Sequence, residues 1–152
     1  METTDTMSFV DIHSHLVPGV DDGARDIPSV LHSVGRMTRI SIRRILTTPH
    51  IQGSLTLDPE QLEIRLRDVA EAWERAADVI GEKYPEVEFK AGYEVLLDVP
   101  NADLSDPRIR MAGTSFVLIE WPFLKLPSGT VAILRKIIRC GYRPIVAHPE
   151  RY

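Results

Sequence analysis

The run Asp11-Ile12-His13-Ser14-His15 directly follows the apolar pair Phe9-Val10. In an extended chain alternate residues share a face, so Asp11, His13 and His15 point the same way. Neutral imidazole nitrogens and carboxylate oxygens suit Zn, Mn or Fe. Four later segments carry the same side-chain types: Thr48-Pro49-His50, Tyr93-Glu94, Leu118-Ile119-Glu120 and His148-Pro149-Glu150-Arg151-Tyr152. A single histidine at a strand end is ordinarily structural. His13, His15, His50 and His148, joined by Glu94 and Glu120 at equivalent strand ends, argue instead for a metal centre. The fifth histidine, His32, falls inside an expected helix and reads as surface or partial core. Asp11 either orients an imidazole from behind the ligands or simply ends its strand.

A ligand set this large implies more than one metal. Such a cluster supplies an activated water at neutral pH and clamps both attacking and leaving oxygens. Phosphate-ester hydrolysis fits best, because it asks mainly for positive charge around phosphoryl oxygens. Arg151, just beyond His148, offers a guanidinium that can take two of those oxygens at once. There is no phosphate-binding P-loop, dinucleotide glycine pattern, Cys-x-x-Cys pair or nucleophile elbow, and no Cys-x5-Arg loop.

The elements that must position these groups follow a β-then-α order. Strands are expected over Ser8–Ile12, Arg44–Thr48, Val87–Tyr93, Phe116–Trp121 and Pro144–Ala147. A helix follows Asp26, with Pro28 in its first turn and Val30, Val34 and Met37 as its stripe. The clearest helix has Asp58 as N-cap, Pro59 at N1 and Gln61 completing a capping box. Leu62, Leu66, Val69, Ala70, Trp73, Ala76, Ala77 and Ile80 form its inward face, and Gly81 ends it. The third helix spans Ser128–Arg139 with Val131, Leu134, Ile137 and Ile138 inward and Gly141 as its stop. Short strands, apolar on both faces, belong to parallel sheets covered by helices. Active sites of parallel α/β barrels form at strand C-terminal ends, where these ligands fall.

At 152 residues the chain is one domain's worth, with residues 1–6 read as a loose tail and 7–152 as the domain. Apolar content of 43% and charged content of 26% are ordinary for a globular protein. A formal charge of −4 argues against nucleic-acid binding. No run is long enough to span a bilayer. Cys140 is the single cysteine, cannot form an internal disulfide and reads as a small core residue. The expected location is the cytoplasm.

In order along the chain, Asp11-Ile12-His13-Ser14-His15, Val20-Asp21-Asp22-Gly23, Thr48-Pro49-His50, Gly92-Tyr93-Glu94, Leu118-Ile119-Glu120 and His148-Pro149-Glu150-Arg151-Tyr152 resemble the PHP (polymerase and histidinol phosphatase) superfamily. The opening and closing segments are most similar to its bacterial branch of capsular and exopolysaccharide tyrosine-protein phosphatases. The resemblance implies an α/β fold, a PHP-type distorted TIM-like β/α barrel with up to three divalent metals, commonly manganese. It implies a first metal on His13, His15 and Glu94, a second on Glu94, Glu120 and His148, and a third on Asp22 and His50, with Arg151 holding the substrate phosphate. It implies a partner as well: a phosphotyrosine-bearing protein, the tail of a bacterial tyrosine autokinase controlling polysaccharide export.

Members of that branch continue for roughly another hundred residues, since a closed barrel takes ~250. The continuation carries an Asp-x-His motif that adds ligands to the first and third metals. The chain is therefore expected to hold the N-terminal part of the barrel, to leave a sheet edge unpaired, and to self-associate or aggregate. Two alternatives stand beside phosphotyrosine hydrolysis. One is a small phosphate ester such as histidinol phosphate as substrate. The other is a catalytically dead module that binds and regulates.

Overall fold

The computed structural model describes residues 8–152, so the expected tail at residues 1–6 and the domain's first residue lie outside the described residues. Among the described residues seven parallel strands and three α-helices follow in the order β1 Phe9–Ser14, α1 Ile27–Arg39, β2 Ile42–Thr47, β3 His50–Gln52, α2 Pro59–Lys83, β4 Glu88–Ala91, β5 Glu94–Leu96, β6 Phe116–Glu120, α3 Thr130–Arg139 and β7 Arg143–Val146.

The strands occupy five positions. β2 pairs with β1 and β4, while β5 pairs with β3 and β6, and β6 with β7, all parallel. Two of the expected strands, Arg44–Thr48 and Val87–Tyr93, stop at or just short of their expected ends, and a short strand that was not expected resumes beyond each. Thr48-Pro49 divides β2 from β3, and Gly92-Tyr93 divides β4 from β5. Pro49 has no N–H to give a ladder. Gly92 has no room for a side chain, since a Cβ there would lie 2.9 Å from Met111 Cα. Pairing nevertheless carries across both breaks. Thr48 N donates to Ser14 O at 2.6 Å, Gly92 N to Thr47 O at 3.0 Å and Glu94 N to Pro49 O at 3.1 Å. The sheet therefore runs β1, β2/β3, β4/β5, β6, β7 in chain order. A doubly wound sheet reverses its strand order and this one does not. Among the described residues it is open, with β1 and β7 at its edges.

Each helix forms where its sequence permits. Asp26 caps α1 by accepting from Ser29 N at 2.8 Å, and Asp26 N donates back to the Ser29 hydroxyl. Val30 and Val34 are its buried stripe. Asp58 caps α2 by accepting from Gln61 N at 3.1 Å, the half of the expected capping box that forms. α2 then passes straight through Gly81 to Lys83, because a helical glycine is tolerated at about 1 kcal/mol and Tyr84 N closes the last turn on Ile80 O at 2.7 Å. Its buried arc is Leu66, Val69, Ala72, Ala76 and Ile80, and Ala70, expected inward, is exposed. Trp73 is partly buried and stacks on Phe89.

Three apolar clusters hold the layers together. Val30, Val34, Ile45, Ala76 and Ile80 join α1 and α2 to β2. Leu66, Val69, Val95, Val117, Ile119 and Ile137 join α2 and α3 to the β3–β7 portion. Met111, Leu118 and Ala147 fill the sheet's other side.

Three expectations are corrected here. β1 is not a buried strand: as an edge paired only with β2, it leaves Phe9, Val10 and Ile12 about half exposed. α3 begins at Thr130, after Gly129 at φ 93, and turns Ile137 and the partly buried Ile133 and Leu134 inward. That rotation leaves Val131 and Ile138 exposed. Cys140, the residue after α3, is exposed for the same reason, at the rim of a groove with Ile137 and Tyr142. Ile137→Ala should cost about 2–5 kcal/mol, whereas Val131→Ala should stay within about 0.5 kcal/mol, read from denaturant midpoints. Equal costs would show that the helix is rotated differently.

Candidate metal centre

The site forms at the C-terminal ends of β1, β6 and β7 and at the two breaks, where β3 and β5 begin. Glu94 opens β5, and the β3–β5 register places it directly opposite His50. Its carboxylate is 1% exposed and lies among four imidazoles. On one oxygen, Oε2, converge His13 Nε2 at 3.0 Å, His15 Nε2 at 3.1 Å and His50 Nδ1 at 3.3 Å. Oε1 lies 3.0 Å from His148 Nε2, yet it is buried without a hydrogen-bond partner. Glu120, the last residue of β6, reaches His50 Nδ1 at 3.1 Å and His148 Nε2 at 3.2 Å. His148 follows β7 in the left-handed region, φ 31 and ψ 57. A non-glycine residue held there marks a site where the fold over-determines one side-chain direction.

The loop after β1 completes the arrangement. Asp21 accepts from His15 Nδ1 at 2.7 Å, from Gly23 N at 3.0 Å and from His50 N at 3.1 Å. The carboxylate thereby fixes the ring of His15 so that its Nε2 lone pair faces the cluster, the usual arrangement behind a ligating histidine. Asp22, mostly exposed, stands 3.5 Å from His50 Nε2. Gly23 packs so tightly on the motif that a Cβ would come within 2.3 Å of His15 Cβ. Thr47 ties the same loop to β2, accepting from Leu16 N and donating to Ser14 O.

The residues fit metal ions better than they fit one another. Two imidazole nitrogens, His13 Nε2 and His15 Nε2, face each other at 3.3 Å. Ligands bound at ~2.1 Å to a common ion sit about 3.0–3.4 Å apart. Three groups have donor atoms all within 4.8 Å of one another: His13, His15 and Glu94; His15, Asp22 and His50; and His50, Glu94 and Glu120. The first is the set expected for one metal. The second is the expected Asp22–His50 pair joined by His15. The third contains the expected Glu94–Glu120 pair, with His148 against both carboxylates. Arg151 lies in a short turn after His148, exposed, with its own N–H on His148 O at 3.0 Å. That turn is fastened by the Tyr152 hydroxyl, which accepts from Trp121 N at 3.0 Å.

One contributor was not legible by type and spacing. Asp21 is the orienting carboxylate, a role open to Asp11 in the sequence. Asp11 Oδ2 is buried without a partner among the described residues. The adjacent Asp21-Asp22 pair was the available signal; which of the two turns inward depends on the bend at Gly23.

Electrostatics follow from this crowding. His15 is pushed up to about 10, first by its hydrogen bond to Asp21 and then by that to Glu94. His50 is raised chiefly by Glu120. Burial pushes Glu94 and Asp21 upward, but the imidazoles, together with backbone N–H groups for Asp21, outweigh it and hold both below the usual carboxylate range. The raised histidines stabilise the metal-free protein fully below about pH 6.5, and His15 loses this contribution as pH rises through 10. The lowered carboxylates contribute above about pH 4 and are lost as pH falls through their folded values. In chelator the melting temperature should therefore plateau between roughly pH 5 and 6.5 and decline above it. A steady rise to pH 10 would contradict the pairing. Gly23→Ala, by displacing His15, should weaken manganese binding about tenfold or more in calorimetric titration. Unchanged affinity would show that the loop yields at no cost.

Comparison with known proteins places relatives beside this fold. The family described as "Capsular polysaccharide synthesis, CpsB/CapC" matches residues 9–152. Tyrosine-protein phosphatase YwqE of Bacillus subtilis is 28% identical over 143 residues, covering 94% of this chain and 55% of that protein. Putative tyrosine-protein phosphatase CapC of Staphylococcus aureus is 26% identical over 144 residues, covering 94% and 54%. A solved structure from work on YwqE of Bacillus subtilis and CpsB of Streptococcus pneumoniae, described as unique metal-dependent tyrosine phosphatases, superposes with a TM-score of 0.75 at 27% identity. It is matched over 94% of this chain and 56% of its own. The chain thus spans just over half the length of the relatives it matches.

Proposed function

Because this chain belongs to the CpsB/CapC family of capsular polysaccharide synthesis, we propose that it acts as a metal-dependent phosphatase on phosphotyrosine in a protein. The observation that carries the reading is the buried Glu94 carboxylate, with four imidazoles and the Glu120 carboxylate converging around it. When bound, divalent metals there supply an activated water and charge for the phosphoryl oxygens. Manganese is the proposed metal, with iron or zinc able to bind the same donors, and up to three ions in the complete site. His13, His15 and Glu94 would hold one ion, Glu94, Glu120 and His148 a second, and Asp22 and His50 a third.

The chain's own residues then have separate tasks. Asp21 keeps the proton of His15 on Nδ1 and so leaves Nε2 for the metal. Glu94, shared between imidazoles, would supply carboxylate oxygen to two of the ions. Arg151, free of any ion pair among the described residues, takes the phosphate in a bidentate contact. The proposed partner is the tyrosine-bearing tail of an autokinase of polysaccharide export, met in the cytoplasm. The unreversed, sequential strand order supports reading the sheet as part of a PHP-type distorted barrel. The half-exposed Phe9, Val10 and Ile12 on the β1 edge support self-association. No helix of the described residues is long and apolar enough to cross a membrane.

The test is release of phosphate from a phosphotyrosyl peptide with added manganese. Activity should vanish on chelation and return with metal. His13→Ala should lower kcat/KM roughly a hundredfold or more, with a matching loss of bound manganese. Faster turnover of histidinol phosphate than of the peptide would move the reading to small esters. Manganese bound without turnover of either would leave a binding module.

A further inference from the structure

Beside the cluster opens a pocket of about 490 Å³ lined by Val20, Asp21, His50, Leu55, Arg65 and Glu120, among others. Arg65 comes from α2, an element with no other group at the metal centre. Its Nη2 donates to two carbonyls, His50 O at 2.9 Å and Val20 O at 3.2 Å. These carbonyls belong to β3 and to the Asp21–Asp22 loop, so the guanidinium is fixed by both walls of the site. Its Nε and Nη1 have no partner among the described residues. The two carboxylates that share the pocket are already matched: Asp21 by His15, and Glu120 by His50 and His148. Arg65 forms no ion pair among the described residues, so its charge is the unmatched one. A partly buried arginine held by backbone carbonyls, with the rest of its fork directed at no carboxylate, is arranged to receive an anion.

We propose that Arg65 is a specificity residue that binds an acidic side chain flanking the phosphotyrosine of the substrate. This rests on the phosphatase reading and deepens it. The phosphate itself is served by the metal cluster and Arg151, so Arg65 is left for a second anionic group. The apolar walls supplied by Val20, Leu55 and Leu96 suit the methylene stem of a glutamate, with the carboxylate at its end on the guanidinium.

The experiment compares three substrates with the manganese-loaded protein: p-nitrophenyl phosphate, a phosphotyrosyl peptide with glutamate on both sides, and the same peptide with glutamine there. The wild-type protein should prefer the glutamate peptide about tenfold in kcat/KM, mainly through KM. Arg65→Gln should abolish that ratio and leave p-nitrophenyl phosphate within about twofold, and Arg65→Lys should keep part of the preference. Because the readout is a ratio within one protein, loss of folded material does not change it. No preference in the wild-type protein, or a preference that survives Arg65→Gln, would overturn the proposal. An equal loss on all three substrates in Arg65→Gln would overturn it too, by making Arg65 a prop for His50. Absence of turnover of p-nitrophenyl phosphate by the wild-type protein would instead sink the phosphatase reading. In that case the Arg65 contact is read by fluorescence anisotropy of the labelled glutamate and glutamine peptides, where equal affinity overturns it.

Discussion

A single buried carboxylate organises this molecule. Glu94 sits 1% exposed at the start of β5, and an ionised group there is costly unless opposite charge surrounds it. His13 in β1, His15 just beyond it, His50 from β3 and His148 after β7 all approach it within 3.3 Å. These segments are far apart in sequence and adjacent only because the strands are parallel and follow chain order. Without a cation, protons on the imidazoles supply the compensating charge, which is why His15 is pushed up to about 10 and Glu94 is held low. Metal ions would replace those protons, so the same electrostatic demand links folding to metal binding.

The breaks in the sheet serve that demand. Were β2 to continue unbroken into β3, or β4 into β5, the two-residue alternation would fix which side of the sheet His50 and Glu94 face. Pro49 and Gly92-Tyr93 interrupt the alternation while the backbone bonds to Ser14, Thr47 and Pro49 preserve the neighbours. His148 is turned by a different device, a left-handed backbone that the following Pro149–Tyr152 turn holds in place. His50, Glu94 and His148 are thus each aimed by a local irregularity on a regular frame, a recurrent property of functional sites.

Much of this was legible in the sequence, for reasons that separate by type. The five strand positions were readable because each is a short apolar run ending in a polar group that would be wasted in a core. The caps at Asp26 and Asp58 were readable because an N-cap is a local contest for a few N–H groups. The metal-competent residues were readable by type and by their common place at strand ends. What was not readable depends on tertiary direction. Periodicity gives a helix an apolar arc but not its rotation against the sheet, so Val131 and Cys140 were placed inward and lie outward. The choice between Asp11 and Asp21 behind His15 depends on a loop bend. Arg65 gave no signal at all, since one arginine among several on a helix acquires meaning only from the carbonyls it meets.

The central claim is that the Glu94 cluster is a polynuclear metal centre. Elemental analysis after equilibration with manganese and removal of free ion tests it most directly, on the wild-type protein beside Glu94→Gln. Substitution by glutamine keeps the side chain's size and removes the charge that the imidazoles and ions share. The account requires more than one manganese per wild-type chain and loss of most of it in the variant. A wild-type protein without bound metal, or a variant that retains the full complement, would contradict it.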